Sequence, residues 1–270
     1  MKTKTMNHRL ILLGVFPILG FALMYLVPMG MTFEYALLDN TINRKWVGVD
    51  NLRHVWSNRY FLMGMRNLII LGGGMVLFTL LFALILSFLL CRHPRIAGKA
   101  MTVLVMPLLI PSVAVVSVWR TVFDTVVVRT DGQAITALIS LFMWKFSGVA
   151  AVILYAGLMS VPQSVLDAAA LDGAGEIRTF VRIRLPMSGG NLVMAVVFLL
   201  MYMFRIFKES YLLFEDTGTK SVYMVQHYMN RVYLRMDFQY VAAAAVSLIM
   251  VALLLYGGTL LMLRYRRTYW

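Results

Sequence analysis

Six long apolar runs, separated by polar segments, constrain what this chain can fold into more than any other feature of its sequence. Hydrophobic residues make up 61% of the 270 positions and charged residues only 14%, which is more apolar surface than a soluble domain buries. Each run has roughly the 20 residues that a helix needs to cross a bilayer. The candidate spans are Leu10–Phe33, Leu68–Leu90, Met101–Phe123, Ala137–Ser160, Leu192–Phe214 and Tyr240–Leu263. The sequence therefore predicts an all-α polytopic membrane protein with six transmembrane helices.

The basic residues predict the orientation of these spans. An even number of spans places both termini on one side, and Lys or Arg in short segments near span ends marks the cytosolic side. The basic residues assigned to the cytosol are Lys2, Lys4, Arg9, Arg92, Arg95, Lys99, Arg178, Arg182, Arg184, Arg264, Arg266 and Arg267. We expect cytosolic N- and C-termini, and we attribute the net charge of +13 to this bias and to anionic lipids rather than to nucleic acid. The first run is too long for a signal peptide, which predicts a retained span.

A compact polar segment, 161–190, follows the fourth span and is predicted to be cytosolic. Ser160 and Gln163 fit a capping box at the start of a helix, and Gly173 is expected to end that helix. Three consecutive alanines before Gly173 leave little side-chain bulk, so a partner can approach the backbone closely. A second short helix is predicted from Glu176 to Arg182, with Pro186 interrupting regular structure.

This segment resembles the EAA loop of ABC-importer permeases, in which Glu-Ala-Ala is followed by Asp-Gly-Ala and then by Ile-x-Leu-Pro. The matching positions, with Asp in place of the usual first Glu, are Asp167, Ala168, Ala169, Asp172, Gly173, Ala174, Ile183, Leu185 and Pro186. The resemblance implies a type I importer permease fold and one permease domain over 1–270 in a prokaryotic cytoplasmic membrane. It also implies that these residues form the contact surface for an ATPase.

The same resemblance implies the rest of the assembly: a second permease, an ATPase dimer that binds ATP and Mg²⁺, and an external solute-binding protein. This chain is then a transport subunit, neither an enzyme nor a cofactor-binding protein. Two softer similarities point to the sugar and oligosaccharide permeases of the maltose-type first-permease group: the segment Trp46–Leu52, and Pro107 and Pro111 followed by Trp119. Polyamine or another small solute is the alternative substrate, and a secondary transporter or a membrane scaffold is the alternative class.

Polar and aromatic residues inside the predicted spans are candidates for the substrate pathway. Arg205 is expensive within an apolar run, and Glu209 is expected to pair with it at the (i, i+4) spacing of a helix. Sugars bind to aromatic faces through their C–H surfaces, which makes aromatic residues of the spans further candidates. These are Trp144, Phe146, Tyr155 and Tyr202. The 4 histidines and single cysteine show no metal-ligand spacing, and no phosphate-binding glycine loop is present.

Overall fold

The computed structural model describes residues 8–123, 130–215 and 220–269, and side chains between 15 and 261 of these. Within these residues the chain is helical, and its only extended pairing is an isolated bridge between Leu38 and Trp46. The helices are α1 (His8–Phe21), α2 (Val27–Ala36), α3 (Asp50–Ser57), α4 (Arg59–Arg92), α5 (Pro94–Leu109), α6 (Ser112–Phe123), α7 (Asp131–Met159), α8 (Gln163–Leu171), α9 (Glu176–Thr179), α10 (Leu185–Met187), α11 (Gly189–Met203), α12 (Phe207–Phe214), α13 (Val225–Leu234) and α14 (Phe238–Tyr269). π-Helical turns join α1 to α2 and α9 to α10.

Four of the predicted spans fall on single long helices and the third falls on α5 and α6, whereas the fifth, expected to be one helix over Leu192–Phe214, is divided into α11 and α12 by a turn at 204–206. The helices with the length and composition of single spans are Val15–Ala36, Arg59–Arg92, Asp131–Met159 and Phe238–Leu261. A bend of 91° separates α5 from α6, and a bend of 78° separates Glu176–Met187 from α11. The described residues thus provide four spans, or six if each bent pair counts as one. Lys2 and Lys4, used above for orientation, lie outside the described residues.

The break between α5 and α6 has a local cause. Pro111 has no N–H to donate, and a residue that precedes proline is pushed away from helical geometry. Ile110 accordingly has an extended conformation with ψ 129°, and the Pro111 carbonyl accepts from Ala114 and Val115 to begin α6. The third apolar run was expected to be one helix, and the structure divides it into two at this proline.

The described residues separate into two compact units. The first contains the chain up to Phe61 together with Tyr228–Met250. In this unit Asn51 is buried and donates to the carbonyls of Ala36 and Leu38, at 3.0 and 2.6 Å. Its amide therefore caps the last turn of α2 and fixes the start of α3 beneath it. This gives the Trp46–Leu52 segment a structural role, because Asn51 ties that segment to the first predicted span.

The second unit contains Leu62–His227 and Val251–Trp270, and α7 lies at its centre. Small residues on α7 let neighbouring helices come close. A Cβ atom at Gly148 would lie 1.7 Å from the Leu104 carbonyl oxygen of α5, and one at Gly157 would lie 2.5 Å from the Asn191 side chain of α11. Asn191 also donates to the Ile153 carbonyl at 3.0 Å. The prediction of one domain over 1–270 is not tested by this division and stays a prediction.

Candidate coupling loop and candidate substrate cluster

The segment 161–190, which we call the coupling loop, begins with α8 directly after a proline. Pro162 precedes the helix with φ −58° and ψ 137°, and α8 starts at Gln163. The predicted capping box is wrong, because the Ser160 hydroxyl donates backwards to the Gly157 carbonyl at 2.7 Å and helps to end α7. The Gln163 amide donates instead to Asp167 Oδ1 at 2.8 Å, which holds that carboxylate along the exposed side of α8.

Helix α8 ends at Gly173, as predicted, and the structure shows that it ends in a Schellman motif. The amide of Ala174 donates to the Ala169 carbonyl at 2.9 Å, and the amide of Gly173 donates to the Ala170 carbonyl at 3.0 Å. This geometry needs a positive φ at Gly173, which is observed at 73°. Apart from its chain neighbours, no described residue has an atom within 4 Å of where a Cβ atom would stand at Gly173, so the glycine is required by backbone conformation and not by crowding.

The surface around this turn combines small residues, carboxylates and one large apolar side chain. Asp167, Ala168, Asp172 and Gly173 are exposed, whereas Ala169 is buried. Leu171, at the last turn of α8, is 90% exposed. Of the remaining predicted coupling residues, Pro186 is exposed and the half-buried ones are Ala174, Ile183 and Leu185. Leu171 thus presents an apolar side chain to the exterior beside the exposed alanines Ala168 and Ala170.

The second limb of the coupling loop packs on the end of α4. Arg92 Nε lies 2.9 Å from Glu176 Oε2, and the rings of Phe88 and Phe180 meet edge to face at 5.0 Å. Phe88, Arg92 and Glu176 line a shallow pocket of about 380 Å³ together with Ile177, which is itself 71% exposed. Helical structure continues to Met187, beyond the predicted end at Arg182, since a π-helical turn over Phe180–Arg184 leads directly into α10, which contains Pro186.

A buried polar triad of Ser112, Lys145 and Glu209 joins α6, α7 and α12. Lys145 Nζ lies 2.8 Å from Glu209 Oε1 and 2.9 Å from Ser112 Oγ, and the Ser112 hydroxyl donates to the same carboxylate oxygen at 2.8 Å. The side chains of Lys145 and Glu209 are each only 7% exposed. The predicted Arg205–Glu209 pair is therefore wrong. Sequence reasoning missed Lys145, although it is the only charged residue in the predicted fourth span, and that is the signal that would have found it.

Three of the predicted substrate-pathway residues lie together beside this triad. Phe146 stacks on Tyr202 at 4.3 Å between ring centroids, and Phe198 packs against Tyr202 at 4.9 Å. The guanidinium of Arg205 lies 5.8 Å from the centre of the Tyr202 ring, and Lys145 Nζ lies 5.7 Å from the centre of Phe146. We call Phe146, Phe198, Tyr202 and Arg205 the aromatic cluster. In this cluster Phe146 is buried, Phe198 and Tyr202 are half-buried, and Arg205 is exposed.

The other two predicted residues are not part of the aromatic cluster. Trp144 pairs with Trp119 at 5.0 Å, and Trp119 in turn donates to Ser140 Oγ at 3.1 Å. Positions 144 and 146 are two residues apart on α7, so their side chains leave it in nearly opposite directions. Tyr155 is half-buried further along α7 and has no ring contact in the described part of the chain. Within those residues no group of three or more His, Cys, Asp or Glu side chains is placed to hold a metal ion.

The fold and the coupling loop together define a multispanning helical permease. The family model described as the binding-protein-dependent transport system inner membrane component matches residues 75–267, and the chain belongs to this family. The predicted membership of the ABC-importer permeases is thereby confirmed. The protein is a multispanning membrane protein with the all-α fold predicted for it.

Individual relatives cover most of the chain. The probable ABC transporter permease protein YesP of Bacillus subtilis is 27% identical over 94% of this chain and 88% of its own length. The xylose/arabinose import permease protein XacH of Haloferax volcanii is 29% identical over 73% of this chain and 68% of its own length. A solved bacterial ABC transporter that imports the acidic polysaccharide alginate matches with a TM-score of 0.78, at 19% identity and 95% coverage of both chains. This last likeness shows the fold.

Proposed function

We propose that this permease forms part of the translocation pathway for a sugar or oligosaccharide. The observation that carries the proposal is the aromatic cluster, in which Phe146 and Tyr202 stack at 4.3 Å beside the exposed Arg205. Aromatic faces bind the C–H surfaces of sugars, and polar groups beside them bind hydroxyls. The names of the relatives support this class of substrate, since XacH is a xylose/arabinose permease and the structural neighbour imports alginate.

We infer that the coupling loop is the contact surface for a separate ATPase dimer, which binds ATP and Mg²⁺ while this chain binds no cofactor. Leu171 presents an exposed apolar side chain at the turn, and the Schellman motif at Gly173 holds α8 at a set angle to the second limb. The second limb contacts α4 through Glu176 and Phe180, so a push on the turn is transmitted to a predicted span. In this mechanism closure of the ATPases moves 167–186 as a lever, and the spans change from inward-facing to outward-facing.

The complete importer on this proposal also contains a second, different permease and an external solute-binding protein, and both termini of this chain lie in the cytosol. Polyamine is the weaker alternative substrate. A polyamine site needs uncompensated carboxylates, whereas the carboxylate of Glu209 is already neutralised by Lys145 at 2.8 Å. Arg205 then leaves the aromatic cluster with a net positive charge, which repels a polycation.

The test is reconstitution with the proteins encoded beside this chain, followed by measurement of ATP hydrolysis with a panel of sugar-loaded binding proteins. Stimulation by one loaded binding protein, lost in Asp172→Ala and Gly173→Val but retained in the exposed control Lys208→Gln, establishes both the coupling surface and the substrate. A complex that assembles and hydrolyses ATP at the same rate with and without every sugar contradicts the proposed substrate class.

A further inference from the structure

We propose that the aromatic cluster selects an anionic sugar, with the exposed Arg205 guanidinium beside Tyr202 binding a carboxylate, sulfate or phosphate group of that sugar. This inference deepens the proposed function and rests on it.

Lys145 and Arg205 are the two cations nearest the aromatic rings of the cluster. Lys145 is compensated, because Glu209 lies 2.8 Å away and both side chains are buried. That pairing consumes the one carboxylate that the sequence offers to Arg205 at helical spacing. The ion pairs of the described residues involve Arg44, Arg53, Arg92, Arg120 and Lys145, and none of them includes Arg205. Among the described residues, Arg205 is thus the cation of the aromatic cluster that has no ion-pair partner.

The charge of Arg205 lies inside a predicted span, at the break between two helices. Arg205 lies between α11 and α12, inside the apolar run 192–214, where an uncompensated guanidinium is costly unless it faces water, a ligand or a partner. Its backbone amide donates to the Tyr202 carbonyl at 3.0 Å, so the turn that carries Arg205 is anchored to the residue beneath its side chain. Next to it, the Phe204 carbonyl accepts from Gln226 Nε2 at 3.0 Å. The interruption is therefore supported by hydrogen bonds at both residues.

The N–H donors of the Arg205 guanidinium remain available to a ligand. A guanidinium over an aromatic ring is held by its π face, and its N–H groups point outward around its edge. Those donors match a planar carboxylate or a phosphate oxygen pair in a bidentate arrangement. Arg205 is exposed, so they are accessible. A neutral sugar beside Arg205 would leave this charge uncompensated, whereas the anionic group of an acidic sugar would compensate it.

The experiment compares one acidic oligosaccharide with its neutral counterpart in the assembled importer. The probes are trigalacturonate and its full methyl ester, extended to a sulfated and a phosphorylated disaccharide with their unmodified parents. ATP hydrolysis is measured at pH 7 against probe concentration, with the same binding protein throughout, so that its own selectivity cancels between variants. The variants are Arg205→Gln, Arg205→Lys and the matched control Lys208→Gln, which removes an exposed cation three residues later.

We expect one acidic probe to stimulate hydrolysis more strongly than its neutral counterpart. Arg205→Gln should raise the half-saturating concentration of that probe by roughly ten- to a hundredfold, the size expected for a lost charge-assisted hydrogen bond. Arg205→Lys should retain part of the preference, and Lys208→Gln should retain all of it. Uncharged probes should stimulate ATP hydrolysis equally in all variants.

Three results overturn the inference, and they differ in what they say about the proposed function. Stimulation by uncharged probes alone overturns the inference and leaves sugar import intact. An acidic preference that is unchanged in Arg205→Gln, or lost equally in Lys208→Gln, overturns the assignment to Arg205. An importer that responds to no sugar, charged or neutral, contradicts the proposed function and this inference with it.

Discussion

The ammonium group of Lys145 lies 2.8 Å from the carboxylate of Glu209, and Ser112 hydrogen-bonds to both. The three residues come from α7, α12 and the first turn of α6, directly after the break at Pro111. A buried pair of this kind is costly to desolvate, so its value lies in joining elements that sequence separates by 33 to 97 positions. It fixes two interrupted helices to the central helix of the second unit.

Lys145→Met should destabilise the protein strongly, because it leaves the Glu209 carboxylate buried without its cation. The expected loss is about 3 to 5 kcal/mol in the free energy of unfolding, measured by denaturant titration in detergent. The double variant Lys145→Met/Glu209→Met removes both charges and should recover most of that loss. If the double variant is as unstable as the single one, the side chains matter for packing and not for charge compensation. Lys208→Met, at an exposed cation, is the control.

Gly173→Val should uncouple the importer without preventing membrane insertion. A β-branched side chain at φ 73° is strained, so the Schellman turn must open and change the angle between α8 and the second limb. We expect assembly in the membrane to be normal and substrate-stimulated ATP hydrolysis to fall at least tenfold. Gly175→Ala is the matched control, because Gly175 has φ −67° and equally open space around its Cα atom. Normal transport by the Gly173→Val variant would contradict the proposed coupling role of this turn.

Leu171→Asp should weaken binding of the ATPase while leaving the stability of this chain unchanged. The side chain is 90% exposed, so no internal contact is lost, but burying the new carboxylate against a partner is unfavourable. Co-purification of the ATPase with the detergent-solubilised permease measures the effect, and Leu171→Met should bind like the unaltered chain. Equal recovery of the ATPase with Leu171→Asp would show that this surface is not covered in the complex.

Gly148→Val should disrupt the packing of α7 on α5. A Cβ atom there would lie 1.7 Å from the Leu104 carbonyl oxygen, so the helices must separate. Overpacking of this kind costs roughly 1 to 3 kcal/mol or more, which should appear as a lowered unfolding temperature in detergent. Gly132→Val, near the start of the same helix, has its nearest neighbour at 3.9 Å and should unfold close to the normal temperature. Equal unfolding temperatures for the two variants would contradict the close approach of α7 to α5 at Gly148.

The positions of the spans and the turn of the coupling loop were predictable because their causes are local. An apolar run long enough to cross a bilayer becomes helical there, since no water is available to its backbone groups. Gly173 ends α8 because its own backbone freedom permits the turn. The start of α8 was predicted with the wrong cap, because Ser160 satisfies a carbonyl of the preceding helix and Pro162 begins the next. A capping box at Ser160 and a helix start after Pro162 involve the same residues, and only the packed structure distinguishes the two.

The amino-acid sequence was enough to identify a helical membrane protein, to locate its apolar segments and to recognise the importer-permease pattern in 161–190. The partner of Glu209, in contrast, depends on how the helices pack. An (i, i+4) pair with Arg205 requires an unbroken helix between them, and the turn at 204–206 interrupts it. Glu209 was then buried against α7, where Lys145 was the cation within reach. The charge left on Arg205 is a consequence of that packing, because ion pairing between distant segments depends on which side chains folding brings together.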